Sequence, residues 1–448
     1  MHGTELQSAV SKVKWRILPL FVVLFIVNYI DRTNLTIIKS EFCSHFGLDE
    51  IAYGFGFGLF FWGYALLEVP ANMALERLGA KRWLTIITLV WGIIAVCFAF
   101  ASNKYMFYFL RIALGAAEAG FFPGVVYYFT RWLPSAERGK AMAVFLSGSA
   151  IATIISGPLA SLLLQIKAEG LQPWQWMIVV EGGFSVIMAA VLWIWLVSLP
   201  HEARWLTQGE KDALLHELDQ EHSSHGAPSS SNKWKLLFSP KLLGLCGIYF
   251  SIQLTIWGIT AWLPDFIKEM LRTPSDLTGV IAWTKNLVAW LGFSEQAAID
   301  QMTLGLLNSI PWVFSILGMY LAALGAARWK NQYAWLAAAL ILAGAGMLVA
   351  GFSSNATAFT AICIAALGFK SAASLYWPIP QSSLEPYIAA AGIALINSIG
   401  NLAGSAAPFA FGWIKQTTGS IHAGFYALAF TSTLTAFLVF QFRPRVST

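Results

Sequence analysis

Ile17-Leu18-Pro19-Leu20-Phe21-Val22-Val23-Leu24-Phe25-Ile26-Val27-Asn28-Tyr29-Ile30-Asp31-Arg32-Thr33-Asn34-Leu35-Thr36-Ile37-Ile38 reads as one helix crossing a lipid bilayer. Its 22 residues rise about 33 Å at 1.5 Å each, close to the thickness of a hydrocarbon core. It is too long for the apolar part of a signal peptide. It also closes on Asp31-Arg32 rather than on small residues suited to cleavage.

Eleven further apolar stretches follow, near 51–75, 83–101, 105–130, 140–165, 175–199, 241–265, 303–325, 333–352, 357–378, 388–413 and 422–441. Hydrophobic residues make up 57% of the chain and charged residues 11%, with a mean hydropathy of +0.63. Soluble domains carry about a quarter charged residues. Gly, Ala and Ser recur, as in Ala343-Gly344-Ala345-Gly346, and small residues let membrane helices approach closely. The stretches are too long, and too rarely alternate, for a β-barrel. An all-α membrane protein with twelve transmembrane helices is expected.

Charge supplies the topology. With the N-terminus inside, eighteen of the 28 Lys and Arg fall in inner segments. Seven fall outside (Lys39, Lys104, Lys167, Lys268, Arg272, Lys285, Lys415), and Arg32, Arg111 and Lys370 lie within helices. This bias places both termini in the cytoplasm. It also explains the net charge of +5 without a nucleic-acid partner. The four cysteines show neither disulfide nor metal spacing.

A polar stretch from His201 to Ser239 separates six helices from six more. The expected organisation is a six-helix bundle over 1–200, a cytoplasmic linker over 201–239 and a second bundle over 240–448. That is the layout of transporters that hold substrate near the midplane between two bundles. Residues 270–302 lengthen the outer connection after the seventh helix. They read as an outer loop with a short interfacial helix, or more sharply as a lid or docking element.

Ionisable side chains deep in a bilayer cost roughly 2.5–3.5 kcal/mol each, so they are functional candidates by default. Asn28, Asp31 and Arg32 share one face of the first helix, and a guanidinium facing a water-filled cavity suits a carboxylate. The plainer reading is an Asp31–Arg32 pair that neutralises itself or caps a helix end. In the fourth helix, Arg111 and Glu118 are seven residues apart and share a face. Glu118 is the candidate proton carrier, with Asp31 as its partner; a static bridge between the helices is the alternative. Lys370, in the tenth helix, is the only Lys or Arg inside the second bundle. It offers a second positive contact for an anion, or else snorkels to a surface. Tyr29, Asn34, Tyr64, Gln253, Asn308, Tyr376, Trp377, Asn397 and Asn401 could line the same site or satisfy neighbouring helices. Glu76, Arg77 and Arg82, around Gly79, read as an inner gating latch or as topology signals. Glu68 and Glu181 read as structural.

These stretches resemble the anion:cation symporter family of the major facilitator superfamily, in the branch of tartrate, phthalate and 4-hydroxyphenylacetate permeases. The resemblance rests on Tyr29-Ile30-Asp31-Arg32-Thr33-Asn34-Leu35, Glu68-Val69-Pro70-Ala71-Asn72 through Arg82-Trp83, Leu110-Arg111 with Glu118-Ala119-Gly120-Phe121-Phe122-Pro123-Gly124, Trp174-Gln175-Trp176, and Gly392 through Asn401. It implies the major facilitator fold of two six-helix bundles. It also implies Arg32 on the substrate carboxylate, Asp31 and Glu118 in proton coupling, and Tyr64, Trp377 and Asn397 near substrate. Two departures stand out. Gly325-Ala326-Ala327-Arg328-Trp329-Lys330 lacks the acid common at that inner loop, and Lys370 stands where the family carries an uncharged residue.

The expected function is therefore proton-coupled import of a small organic anion, an aromatic or hydroxy carboxylate such as phthalate or tartrate, by alternating access. An anion exchanger of the same fold is the alternative. In the expected cycle, protonated Asp31 and Glu118 free Arg32 for the anion, and Arg32 re-pairs with Asp31 after release. A monomer in the bacterial inner membrane is expected, with no cofactor or metal. All seven histidines lie in predicted loops or ends, so no catalytic cluster suggests an enzyme. A metal-binding role for His216, His222 and His225 is weaker than a solvated linker.

Overall fold

The computed structural model describes residues 2–166, 168–224, 239–272, 278–293, 295–329, 331–353, 355–383 and 386–441. Among these residues there are helices and turns but no strand. The helices are α1 (His2–Ile37), α2 (Lys39–Phe46), α3 (Glu50–Leu78), α4 (Ala80–Cys97), α5 (Lys104–Glu118), α6 (Phe121–Trp132), α7 (Ser135–Leu163), α8 (Pro173–Trp195) and α9 (Gln208–Ser224). They continue as α10 (Pro240–Arg272), α11 (Thr278–Trp290), α12 (Gln296–Trp329), α13 (Gln332–Phe352), α14 (Asn355–Tyr376), α15 (Pro378–Ser383), α16 (Pro386–Thr418) and α17 (His422–Gln441). Eleven spans among the described residues are long and apolar enough to cross a membrane. Helix α16 occupies the remaining apolar stretch, so the twelve expected crossings are all helical. Large apolar side chains such as Leu66, Ile194 and Phe430 are exposed, as a lipid-facing surface requires.

Two compact units emerge. The first comprises Met1–Arg32, Trp62–Thr153 and Lys167–Pro228; the second comprises Thr33–Phe61, Ile154–Ile166 and Ser229–Thr448. Helices α1, α3 and α7 thus contribute to both.

Inside the first unit, α4 and α8 cross at glycines. A Cβ on Gly92 would lie 2.8 Å from Val186 N, and one on Gly182 would lie 2.8 Å from Val96 N. Only glycine permits that approach, which is how small residues replace the hydrophobic effect as the packing device in a bilayer. The start of the polar linker is ordered rather than loose. Thr207 N–H donates to Glu210 Oε2 at 2.9 Å, and Glu210 N–H donates to Thr207 Oγ1 at 3.3 Å. This capping box starts α9. Ser8 and Lys12 of α1 also donate to Glu210, at 2.7 and 2.9 Å. Burial works to raise the Glu210 carboxyl, but these donors outweigh it and hold it at about 2. Lys14 pairs with Glu137; together with Lys140 it lowers that carboxyl to about 2.

In the second unit a charge cluster joins four segments. Lys39 Nζ lies 2.6 Å from both Glu50 Oε2 and Asp265 Oδ2, and Lys415 Nζ lies 2.6 Å from Glu50 Oε1. The Lys39 ammonium also sits 3.2 Å from the centroid of the Trp262 ring. Lys39 is buried, where its place in a predicted outer segment suggests an ordinary loop lysine. The connection after α10, predicted to be an outer one, contains the helix α11, with Trp283 and Trp290 exposed and Thr284 and Val288 buried. Residues 273–277 of that connection, linker residues 225–238 with His225, and Arg443 and Arg445 lie outside the described residues.

Candidate functional site

The polar face of α1 meets the end of α5. Asn28 and Arg32 are one turn apart, so their side chains reach one point. Asn28 Nδ2 and Arg32 Nε both donate to Glu118 Oε2, at 2.7 and 2.6 Å. Glu118 is fully buried and is the last residue of α5. The helix is interrupted there by a turn at Ala119-Gly120 before α6 begins. The Trp83 indole occupies the space beside Gly120, 2.6 Å from where a Cβ would sit. The Arg32 guanidinium lies 5.2 Å from the Tyr64 ring centroid on α3. Tyr64, Tyr29 and Arg111 are all buried.

Asp31 points elsewhere. Its Oδ2 accepts a hydrogen bond from Ser185 Oγ of α8 at 2.7 Å, and both residues are buried. The expected re-pairing of Arg32 with Asp31 is replaced by this arrangement: the carboxylate that holds Arg32 is Glu118. The reason is helical geometry. Adjacent residues diverge by about 100° on a helix of 3.6 residues per turn, so Asp31 and Arg32 address different neighbours. Among the described residues, Asp31 Oδ1 and Glu118 Oε1 are buried without a hydrogen-bond partner. Each acid thus has one hydrogen-bonded oxygen and one without such a partner.

Tyr29, Asp31, Arg32, Tyr64, Arg111 and Glu118 belong to the first unit; Asn34, Gln253, Asn308, Lys370, Tyr376, Trp377, Asn397 and Asn401 belong to the second. In the second unit, Lys370 Nζ lies 5.6 Å from the Trp312 ring centroid. Tyr249 stacks on Tyr376 at 5.1 Å and meets Trp377 at 4.8 Å. Tyr376 is fully buried and donates its hydroxyl to Leu245 O at 2.8 Å, a packing role. Asn34 and Asn308 are buried, while Gln253, Lys370, Trp377, Asn397 and Asn401 are half-buried. Arg77 and Arg82 are exposed and make no ion pair among the described residues; the Glu76 side chain lies outside them.

Sequence reasoning missed Ser185. It is a small polar residue in an apolar helix, and its only signal is its place one turn after Glu181.

A family profile described as Major Facilitator Superfamily matches residues 21–408. A "Quinolone resistance transporter" of Acinetobacter baumannii is 34% identical over 94% of this chain and 92% of its own length. A "Putative tartrate transporter" of Agrobacterium vitis is 31% identical over 95% of this chain and 89% of its own. The inward-open xylose transporter XylE from E. coli has the same fold, with a TM-score of 0.71 and 13% identity over 97% of this chain and 98% of its own.

Proposed function

The chain belongs to the Major Facilitator Superfamily, and from that premise we propose a proton-coupled symporter that imports a small organic anion across a bacterial inner membrane. It is a multi-pass membrane transporter and not an enzyme. The observation that carries the proposal is the Arg32–Glu118 pair at 2.6 Å, whose carboxylate is fully buried. An incoming carboxylate that takes Arg32 leaves Glu118 without its cation. An isolated buried carboxylate is far costlier than a neutral one, so Glu118 takes up a proton as the anion binds. Release of the anion returns Arg32 to Glu118 and expels the proton. The same competition couples the two ligands in either direction.

Asp31 is the second proton carrier in this reading, and Arg111 adds positive charge near Glu118. Lys370 is the second anion contact, contributed by the C-terminal bundle of the proposed 1–200, 201–239, 240–448 organisation. Two cations favour a dicarboxylate, in keeping with the tartrate name of one relative. Moving each negative charge inward costs roughly 2.3 kcal/mol per 100 mV, so a dianion requires at least two protons to enter without electrical work.

The name of the quinolone resistance relative favours a second reading, export by proton exchange. Proteoliposomes separate the readings. With tartrate, phthalate and 4-hydroxyphenylacetate as probes, a symporter accumulates its substrate when the outside is acidic. A proton exchanger accumulates it when the lumen is acidic. An anion exchanger responds to internal anion and not to pH. Loss of the pH response in Glu118→Gln, with anion counterflow retained, is the expected signature. Full pH-driven accumulation by Glu118→Gln would overturn the coupling role.

A further inference from the structure

The proton-carrier reading of Asp31 has a structural partner on another helix. Serines in these helices usually turn their hydroxyl back onto their own chain: Ser149 donates to Leu146 O, Ser315 to Trp312 O and Ser374 to Ser371 O. That is the ordinary local competition of serine with the helix backbone. Ser185 does otherwise. Its hydroxyl crosses from α8 to α1 and donates to Asp31 Oδ2 at 2.7 Å, with both residues buried. The α4–α8 crossing keeps it there. A Cβ on Gly92 would lie 3.0 Å from Ser185 Cβ and 2.8 Å from Val186 N, so α8 has little room to rotate Ser185 away.

We propose that Ser185 is a positioning residue that sets how tightly Asp31 holds its proton. The proposal rests on the reading of Asp31 as a carrier and deepens it. A donor to the ionised carboxylate favours that form, and hydrogen bonds to charged groups are the strong ones. When Asp31 is protonated on Oδ1, the atom without a partner, Ser185 still donates to Oδ2, but to a neutral acceptor. The hydrogen bond is therefore stronger in the deprotonated state, and it promotes proton release. The other groups that act on Asp31 are Glu118 of α5 and the Trp91 indole of α4, a second donor directed at its carboxyl. Glu118 is committed to Arg32 and Asn28. Glu181 lies one turn before Ser185 on α8. No other hydroxyl is recorded donating to Asp31 among the described residues.

The test needs no substrate, only the proton. Infrared difference spectra of the full-length protein in liposomes, taken across a pH series, report protonated carboxyl groups. The band absent from Asp31→Asn belongs to Asp31. Ser185→Ala is expected to move the midpoint of that band upward by about one pH unit or more, the size of one lost charge-assisted hydrogen bond. Ser185→Thr, which keeps the hydroxyl, is expected to restore it, and Ser185→Cys, a weak donor, to fall between. A midpoint in Ser185→Ala within about 0.3 units of the parent, or a downward shift, would overturn the role of Ser185 and leave Asp31 as a carrier. An Asp31 band that does not titrate would overturn the carrier reading and this inference with it. A merely structural Ser185 would lower thermal stability without moving the midpoint.

Discussion

Replacing Lys39 by Met and Asp265 by Asn, singly and together, measures the charge cluster of the second unit. Lys39 Nζ lies 2.6 Å from Asp265 Oδ2, and the two side chains are 4% and 14% exposed. Unit charges at that distance attract by about 6 kcal/mol at an effective dielectric of about 20. Desolvation of the ammonium offsets most of this. Glu50, 30% exposed and also 2.6 Å from Lys39, shares the cation and dilutes the pair further. A net coupling of about 2 kcal/mol remains, against the ~0.2–1 kcal/mol of exposed pairs. Lys39→Met leaves Glu50 and Asp265 with Lys415 alone, whose Nζ is 2.6 Å from one and 3.6 Å from the other. The double variant is therefore expected to be more stable than Lys39→Met by itself. The assay is thermal denaturation of the purified protein in detergent at low and high salt. The coupling is expected to persist in salt, because buried pairs are poorly screened. A coupling below about 0.5 kcal/mol, or one that disappears in salt, would refute the reasoning and make this an ordinary surface pair.

The remaining predictions use other parts of the molecule. Arg32→Ala leaves Glu118 buried without its cation, at a cost of about 3–5 kcal/mol. Arg32→Ala/Glu118→Gln is expected to recover much of the lost thermal stability, and equal stability of the two variants would contradict the pairing. Gly182→Ala and Gly183→Ala are neighbours with opposite outcomes. The first puts a methyl 2.8 Å from Val96 N and the second meets nothing within 4 Å. Overpacking of about 1–3 kcal/mol is expected for Gly182→Ala, read as lower thermal stability, and no loss for Gly183→Ala. The α9 latch is pH-dependent. The Glu210 carboxyl is held at about 2, against an ordinary 4.5, so its stabilisation is fully present above about 4.5 and fades as pH falls toward 2. Hydrogen-exchange protection of residues 208–220 is expected to follow that profile and to drop at neutral pH in Lys12→Ala.

Much of this was legible from residue order. Membrane helices announce themselves because lipid demands long apolar runs whatever they pack against, so all twelve stretches, from Ile17–Ile38 onward, correspond to helices. Asp31, Arg32, Glu118 and Lys370 stood out for the same reason: charge is rare where it is expensive. The break after Glu118 and the order within the linker were less visible. The Thr207–Glu210 capping pattern is a local signal, but its docking to Ser8 and Lys12 spans the whole first unit.

Partner choice belonged to the tertiary structure. Sequence alone placed Asp31 and Arg32 side by side and invited their pairing. Helical rotation sent one toward Ser185 and the other toward Glu118, 86 residues away from Arg32. Lys39 counted as an outer basic residue until Glu50, Asp265 and Trp262 closed around it. Composition and hydropathy determine which segments enter the bilayer, because transfer into lipid is a property of each segment taken singly. Which charge meets which depends on the directions side chains take from packed helices, and those directions are set only when glycines such as Gly92 and Gly182 let the helices close on one another.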